Sequence, residues 1–254
     1  MNNLQDVLLF LKEDYTKNIA LINILERGDY DRFKIAGQSV RVRDKKSGSY
    51  FFSFNSPANI SDLLNTDDLN VFFVNDIDYM TDLQKCLPEA TFSVYHAFVM
   101  QNAANLNENL LPDGFKFVTP DMSWLDFILK RYRNEEFCQK EYIADLLTNG
   151  PAVAIESSGQ KIAVVLMHKD GETGPIIVDK AFRRRRLGRA LLIAFNRILF
   201  EKRIPSFTFV ERSNIASISL MLSAGYKKSE KDIIWISSEC PVRPLVCNKS
   251  YLEG

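Results

Sequence analysis

Val178-Asp-Lys-Ala-Phe-Arg-Arg-Arg-Arg-Leu-Gly-Arg-Ala-Leu-Leu192 reads as the end of a strand, a basic loop and the start of a helix. The strand is the short β-branched run Gly174-Pro-Ile-Ile-Val178. In the helix, Leu187, Leu191, Ala194, Phe195 and Ile198 fall on one face at helical spacing, and Arg189, Asn196, Arg197 and Lys202 fall on the other. A helix start leaves backbone N–H groups without partners, and its dipole favours an anion there. Gly188 lets that backbone come close to a ligand, and Arg183, Arg184, Arg185 and Arg186 make a positive cup of polyphosphate size. The competing reading of the arginines is a solvated basic face or a nucleic-acid patch.

Composition narrows that choice. The chain has 254 residues, with 32 Lys and Arg against 32 Asp and Glu. A neutral chain argues against general nucleic-acid binding, so the arginine cluster is a local feature. No window reaches transmembrane length, so no membrane contact is expected. Met1-Asn-Asn-Leu-Gln-Asp lacks a signal-peptide pattern, and Asp6, Glu13 and Asp14 speak against a mitochondrial presequence. Cys86, Cys138, Cys240 and Cys247 form no Cys-x-x-Cys pair and only two histidines accompany them, so no metal and reduced cytoplasmic thiols are expected.

Asparagine-rich Gln101–Gly114 marks a boundary between a smaller α+β region, 1–108, and a second domain, 112–254. The first region suggests one or two helices over Leu4–Leu25, a strand pair over Gln38–Arg43 and Tyr50–Phe54, then short helices and strands to Met100. The second suggests a strand at Phe115–Val118, helices at Trp124–Arg131 and Glu136–Leu147, and strands at Val153–Ile155, Ile162–Met167 and Glu172–Val178. The basic loop and its helix follow, then a strand at Ser206–Val210 and a helix at Ser213–Ser223. Strands at Tyr226–Ser229 and Ile233–Ile236 close the sheet. Trp124 and Trp235 read as core aromatics.

The loop resembles the acyl-CoA pyrophosphate loop of the GCN5-related N-acetyltransferases, the GNAT superfamily. Asn214-Ile-Ala-Ser-Ile-Ser-Leu220 with Ala224-Gly225-Tyr226 is similar to that superfamily's later signature, and the resemblance covers roughly residues 115 to 237. It implies an α/β (α+β) fold with a central, mostly antiparallel mixed sheet flanked by helices, and a first region that is a candidate degenerate half of the same kind. It also implies acetyl-CoA or another acyl-CoA as co-substrate. The residues holding it would be Ile177, Val178, Arg183, Arg184, Arg185, Arg186, Leu187, Gly188, Arg189, Ala190, Asn214 and Ser217. Aligned on Phe182-Arg183, Arg186 stands where the family formula has its first glycine and Gly188 fills the second; sliding by two fits Arg185, Gly188 and Ala190 instead. The first register matches more neighbours. Gly188→Trp is then expected to block the space the pyrophosphate needs. Tyr226 fills a position that in the family is packing more than chemistry.

Acyl transfer to an amine needs a proton acceptor, a donor for the oxyanion and a departing thiolate. Glu172, at the start of the strand leading to the arginines, is the economical base, and a turn glutamate facing water is the plainer reading. The glycine N-acyltransferase branch, which this region most resembles, has Gly-Glu eleven residues before the loop arginine; Gly171-Glu172 stands eleven before Arg183. Asn134-Glu135-Glu136 resembles that branch too. Asp170 and His168 are fallback bases, and His96 reads as structural. The usual acid, a tyrosine seven residues after the motif asparagine, is replaced by Met221, which leaves the acid unassigned. The expected acceptor is a primary amine of a small molecule or amino acid. A protein lysine or N-terminus, or a domain that binds acyl-CoA without turnover, are the alternatives. The first region would shape the acceptor site or make a homodimer contact, and a fragment starting near Leu111 would bind CoA if it folds.

Overall fold

The computed structural model describes residues 3–66, 68–101, 111–132 and 138–238. In chain order the first part runs α1 (Leu4–Lys12), α2 (Tyr15–Arg27), β1 (Tyr30–Ala36), β2 (Ser39–Asp44), β3 (Tyr50–Ser53), α3 (Ile60–Leu64), β4 (Val71–Val74), α4 (Met80–Cys86) and β5 (Thr91–Val99). The second runs β6 (Phe115–Val118), α5 (Leu125–Leu129), α6 (Lys140–Asn149), β7 (Val153–Ser157), β8 (Gln160–Met167), β9 (Thr173–Val178), α7 (Leu187–Glu201), β10 (Phe207–Glu211), α8 (Ile215–Ser223), β11 (Lys227–Lys228) and β12 (Ile233–Ser237). The mixed α/β architecture follows the sequence expectation. Asn134, Glu135 and Glu136 lie outside the described residues, and so do Cys240 and Cys247.

The chain folds into two compact units that interleave in sequence. One comprises 1–97, 209–214 and 228–254; the other comprises 98–208 and 215–227. A single cut between 108 and 112 therefore does not describe the packing. The reason is β12. Its apolar alternation reads as the closing strand of its own half, yet it lies between β4 and β5, antiparallel to both. Ile234 and Ile236 are fully buried there, against Phe72 and Leu83 among others.

The first unit has an aromatic core. Phe51 and Phe73 stack at 4.7 Å, and Phe73 meets the edge of Trp235 at 4.3 Å. β3 and β4 pair in parallel, Phe51 opposite Phe73. α1 and α2 start on side-chain caps, Asn3 and Asp14, and α2 stops at Gly28 in the left-handed region. Cys86 is disulfide-bonded, which departs from the expectation of reduced thiols throughout; Cys138 is free. Pairing depends on two sulfurs meeting in space, which sequence spacing does not show.

The second unit packs β6-β7-β8-β9 as one antiparallel sheet. Trp124, Phe127, Ile128, Ile143 and Leu146 cover one face through Ala154, Val164, Leu166 and Ile177. α7 packs on β7, β8 and β9 and buries Leu187, Leu191, Leu192, Phe195 and Leu199. At roughly 1.5–3 kcal/mol for each large apolar side chain, that stripe far outweighs the weak intrinsic propensity of the helix.

Candidate active site

Two features of β9 organise the site. β9 is the last strand of its sheet among the described residues, so the backbone polar groups of its outer edge have no described strand partner. It also carries a bulge: Val165 pairs Ile176, but Met167 pairs Thr173, so two steps on β8 oppose three on β9. Paired residues share a face. Thr173 and Ile176 therefore share one, and Glu172 takes the other. Simple alternation back from Val178 would put Glu172 on the same face as Ile176.

At the carboxyl end of β9, Asp179 caps a 3-10 turn by accepting from the Ala181 N–H at 3.0 Å. Arg131 donates to the same carboxylate through Nε at 2.9 Å, and its guanidinium holds Asp179 below the usual carboxylate range. The arginines follow, all exposed. Arg183 Nε donates to the Val178 carbonyl at 3.2 Å, and Arg185 lies 5.3 Å above the Phe182 ring. Arg184 and Arg186 adopt left-handed backbone with φ of 66° and 61°. Such a conformation costs an arginine roughly 1–2 kcal/mol relative to the ordinary helical region. Glycine would remove that strain at Arg186, where the family formula has one, but it would also remove a guanidinium.

α7 begins at Leu187 with Arg186 as N-cap and no side-chain cap, and its first turn has no acid. The N–H groups of Leu187, Gly188 and Arg189 precede the first intrahelical bond, from Ala190 to the Arg186 carbonyl at 3.1 Å. Three donors, the helix dipole and four guanidinium groups thus converge beside one strand end. Gly188 also has a packing role. A Cβ there would meet Leu220 Cδ1 at 3.2 Å and Val178 Cγ2 at 3.6 Å. The glycine admits close packing of α7 on α8 and β9, so Gly188→Trp would wedge these elements apart before it filled any ligand space.

At the other end of β9 lies Glu172, half-buried and one residue before the strand. Its Oε1 accepts from Thr208 Oγ1 at 3.0 Å, and its N–H donates to Asp170 Oδ1 at 3.0 Å. The turn is closed by the His168 N–H donating to the Glu172 carbonyl at 2.8 Å. Asp170 is buried. The His168 Nδ1 and the Tyr142 hydroxyl lie 2.8 Å apart. Glu172 and the arginines thus occupy opposite ends of one strand. Asn214 is exposed, its N–H donating to the Glu211 carbonyl at 2.9 Å, and Ser217 is half-buried on α8. Ile177 is buried in the core under the sheet, so only its backbone is at the edge.

Sequence reading missed a buried polar network around Asn196, Ser206 and Tyr226. Ser206 Oγ donates to Asn196 Oδ1 at 2.6 Å and lies 2.7 Å from the Tyr226 hydroxyl, which donates to the same Oδ1 at 2.9 Å. Thr173 Oγ1 joins through Ser206 at 3.3 Å. Asn196 is 2% exposed and belongs to the buried side of α7, not to its polar face. Tyr226 is therefore a polar anchor that ties α7 and the start of β10 to the start of β9, and burial pushes its phenol pKa up. Tyr226→Phe is expected to lower stability by about 1–3 kcal/mol, because Ser206 and Asn196 lose a buried partner. Urea unfolding measures this, and an unchanged midpoint would show the network to be dispensable.

Among the described residues no cluster of His, Cys, Asp and Glu could hold a metal, and no helix is long and apolar enough to cross a membrane.

Residues 120–226 match the acetyltransferase (GNAT) family model. Among solved structures, a Drosophila protein superposes with a TM-score of 0.69 at 14% identity, over 92% of this chain and 95% of that one. A GCN5-related N-acetyltransferase from Kribbella flavida gives 0.60 at 14% identity, over 88% and 95%. A tandem GNAT protein from the clavulanic acid biosynthesis pathway gives 0.50 at 9% identity, over 93% and 95%. No curated protein sequence matches this chain.

Proposed function

We propose, from the match of residues 120–226 to the acetyltransferase (GNAT) family model, that this chain transfers an acetyl group from acetyl-CoA to the primary amine of a small molecule or amino acid. Transfer is by direct attack in a ternary complex, with Glu172 as general base. One observation carries the reading. A single strand with an open edge has an anion cup at one end and an oriented carboxylate at the other, and its six residues span about 20 Å. A co-substrate with phosphates at one end of an extended, amide-bearing arm and a thioester at the other fits that spacing.

The chain's residues divide the work. Arg183, Arg184, Arg185 and Arg186, with the N–H groups of Leu187, Gly188 and Arg189, would hold the pyrophosphate; the Ala190 N–H is committed to the Arg186 carbonyl. The backbone of Ile177 and Val178 would pair with the amide arm, and Asn214 and Ser217 would flank it. Acetyl-CoA supplies an activated acyl group with a good leaving thiolate. Glu172 takes the ammonium proton, and Thr208 orients its carboxylate by donating to Oε1. Met221, which is buried, stands at the family's usual acid position and carries no proton to donate. A thiol of pKa about 8.5 can leave as thiolate and take its proton from water.

The first unit supports one cofactor per chain. Its elements from α1 to β5 repeat the order seen from α5 to β11: two helices, three strands, helix, strand, helix, strand. Yet β3 and β4 pair directly where β9 keeps an open edge, and Asn55-Ser56-Pro57-Ala58-Asn59 leads to a five-residue helix in place of the arginine loop and α7. It is a closed, degenerate half of the same kind. Titration calorimetry is expected to give one CoA site per chain, and two equal sites would overturn this reading. At a hundredfold over its dissociation constant, CoA should stabilise the fold by roughly 2.7 kcal/mol. Arg183→Ala with Arg184→Ala should weaken CoA, and added salt should mimic the loss, since exposed charges are screened within about 10 Å at 0.1 M. Affinity indifferent to both changes would place the phosphates elsewhere. Release of free thiol from acetyl-CoA across an amine panel tests turnover; saturable binding with no release would leave an acyl-CoA-binding protein.

A further inference from the structure

Tyr142 on α6 and His168 in the β8–β9 turn lie on the Glu172 side of β9. Their rings are stacked with planes inclined by 30° and centroids 5.9 Å apart, and the Tyr142 hydroxyl is 2.8 Å from His168 Nδ1. The imidazole presses on β9: a Cβ on Gly174 would lie 3.0 Å from both His168 Cδ2 and Nε2. His168 is also tied to Glu172 through the main chain, N–H to carbonyl at 2.8 Å. The surrounding charges are few. Lys169 pairs with Asp145 at 2.9 Å and sits 5.4 Å over the Tyr142 ring, while the charges of Asp170, Glu172 and Asp145 all favour the protonated phenol.

We propose that Tyr142 and His168 form a positioning pair for Glu172, in which His168 remains a neutral imidazole with its proton on Nε2 and does not act as a base. The inference rests on Glu172 being the general base. A neutral imidazole has one N–H, so a phenol donating to Nδ1 puts that proton on Nε2. Tyr142 is kept a donor, since burial, Asp170 and Glu172 all raise its pKa. Burial also pushes the His168 imidazole down to about 4. The consequence is chemical: a cationic imidazole beside Glu172 would lower the carboxylate's basicity, whereas a neutral one does not. The stacked pair backs the turn that aims Glu172, and Gly174 is the residue that lets the ring reach the strand.

The tautomer is read without an acceptor. In the full chain labelled with ¹⁵N-histidine, long-range proton–nitrogen spectra report the protonation of each ring nitrogen. Only His96 and His168 contribute, and His168→Gln assigns the signals. Between about pH 5 and 8 His168 should show an unprotonated Nδ1 and a protonated Nε2 without titrating. Tyr142→Phe should release that tautomer or restore titration. An ordinary midpoint near about 6.5, or an Nδ1–H tautomer, overturns the proposal. For turnover, thiol release from acetyl-CoA with the amine panel should fall about tenfold or more in His168→Ala at unchanged KM for acetyl-CoA, with His168→Gln largely restoring rate and pH profile. Loss of a near-neutral ionisation in His168→Gln would make His168 the base. Glu172→Gln run alongside separates the failures: full activity there sinks the Glu172 reading, whatever the imidazole spectra show.

Discussion

Glu172→Gln is expected to cut the rate by about a hundredfold or more near neutral pH, while acetyl-CoA affinity barely changes. An acceptor ammonium holds its proton well above neutral, about 10.4 for a lysine side chain, so attack waits on a proton acceptor. Glutamine keeps the shape and still accepts from Thr208 Oγ1, which now sits 3.0 Å from Glu172 Oε1. The arginine cup at the far end of β9 is untouched. The loss should therefore appear in kcat and shrink as pH rises, because free amine then forms without help. Thiol release followed across pH measures both effects. Full activity with an unchanged profile would put the base elsewhere, with Asp170, buried and bonded to the Glu172 N–H at 3.0 Å, as the next carboxylate to replace.

A fragment spanning 111–254 is expected to lack cooperative melting and to aggregate. Sequence reading alone favours its independence, since every acyl-transfer motif lies within it. The pairing of β12 says otherwise. Both neighbours of β12, β4 and β5, lie within residues 1–99 and would be missing. Ile233, Ile234 and Ile236, all buried, would be exposed. Each is worth roughly 1.5–3 kcal/mol, against a total stability of about 5–15 kcal/mol for a typical domain. The fragment also loses Phe98 and Val99, and the Met100 N–H bond to the Ser206 carbonyl at 2.9 Å beside the start of β10. Unpaired apolar strands are ready templates for association. Circular dichroism and gel filtration would decide: a monomer with a cooperative transition raised by CoA would show that the second unit stands alone.

Several features were legible from residues alone. The basic loop after a β-branched strand, the helix from Leu187, the hairpin around Ser158 and the match of residues 120–226 to the acetyltransferase family model all follow from local pattern, because turns, helix periodicity and charge clusters are short-range properties of the chain. Even the conformation at Arg186 had a trace, in an arginine standing where glycine is usual. Three decisions belonged to tertiary structure. The face of β9 that Glu172 joins depends on one extra residue opposite Val165–Met167, and alternation cannot register a bulge whose cause is pairing with another strand. Asn196 is inside because Ser206 and Tyr226, ten and thirty residues further along, bring hydroxyls to it. The home of β12 was undecidable locally, since Ile233-Ile-Trp-Ile236 alternates equally well against any open sheet edge. Local sequence sets what each segment can form; which edge it pairs with depends on contacts more than a hundred residues apart, where shape and buried area choose the partner.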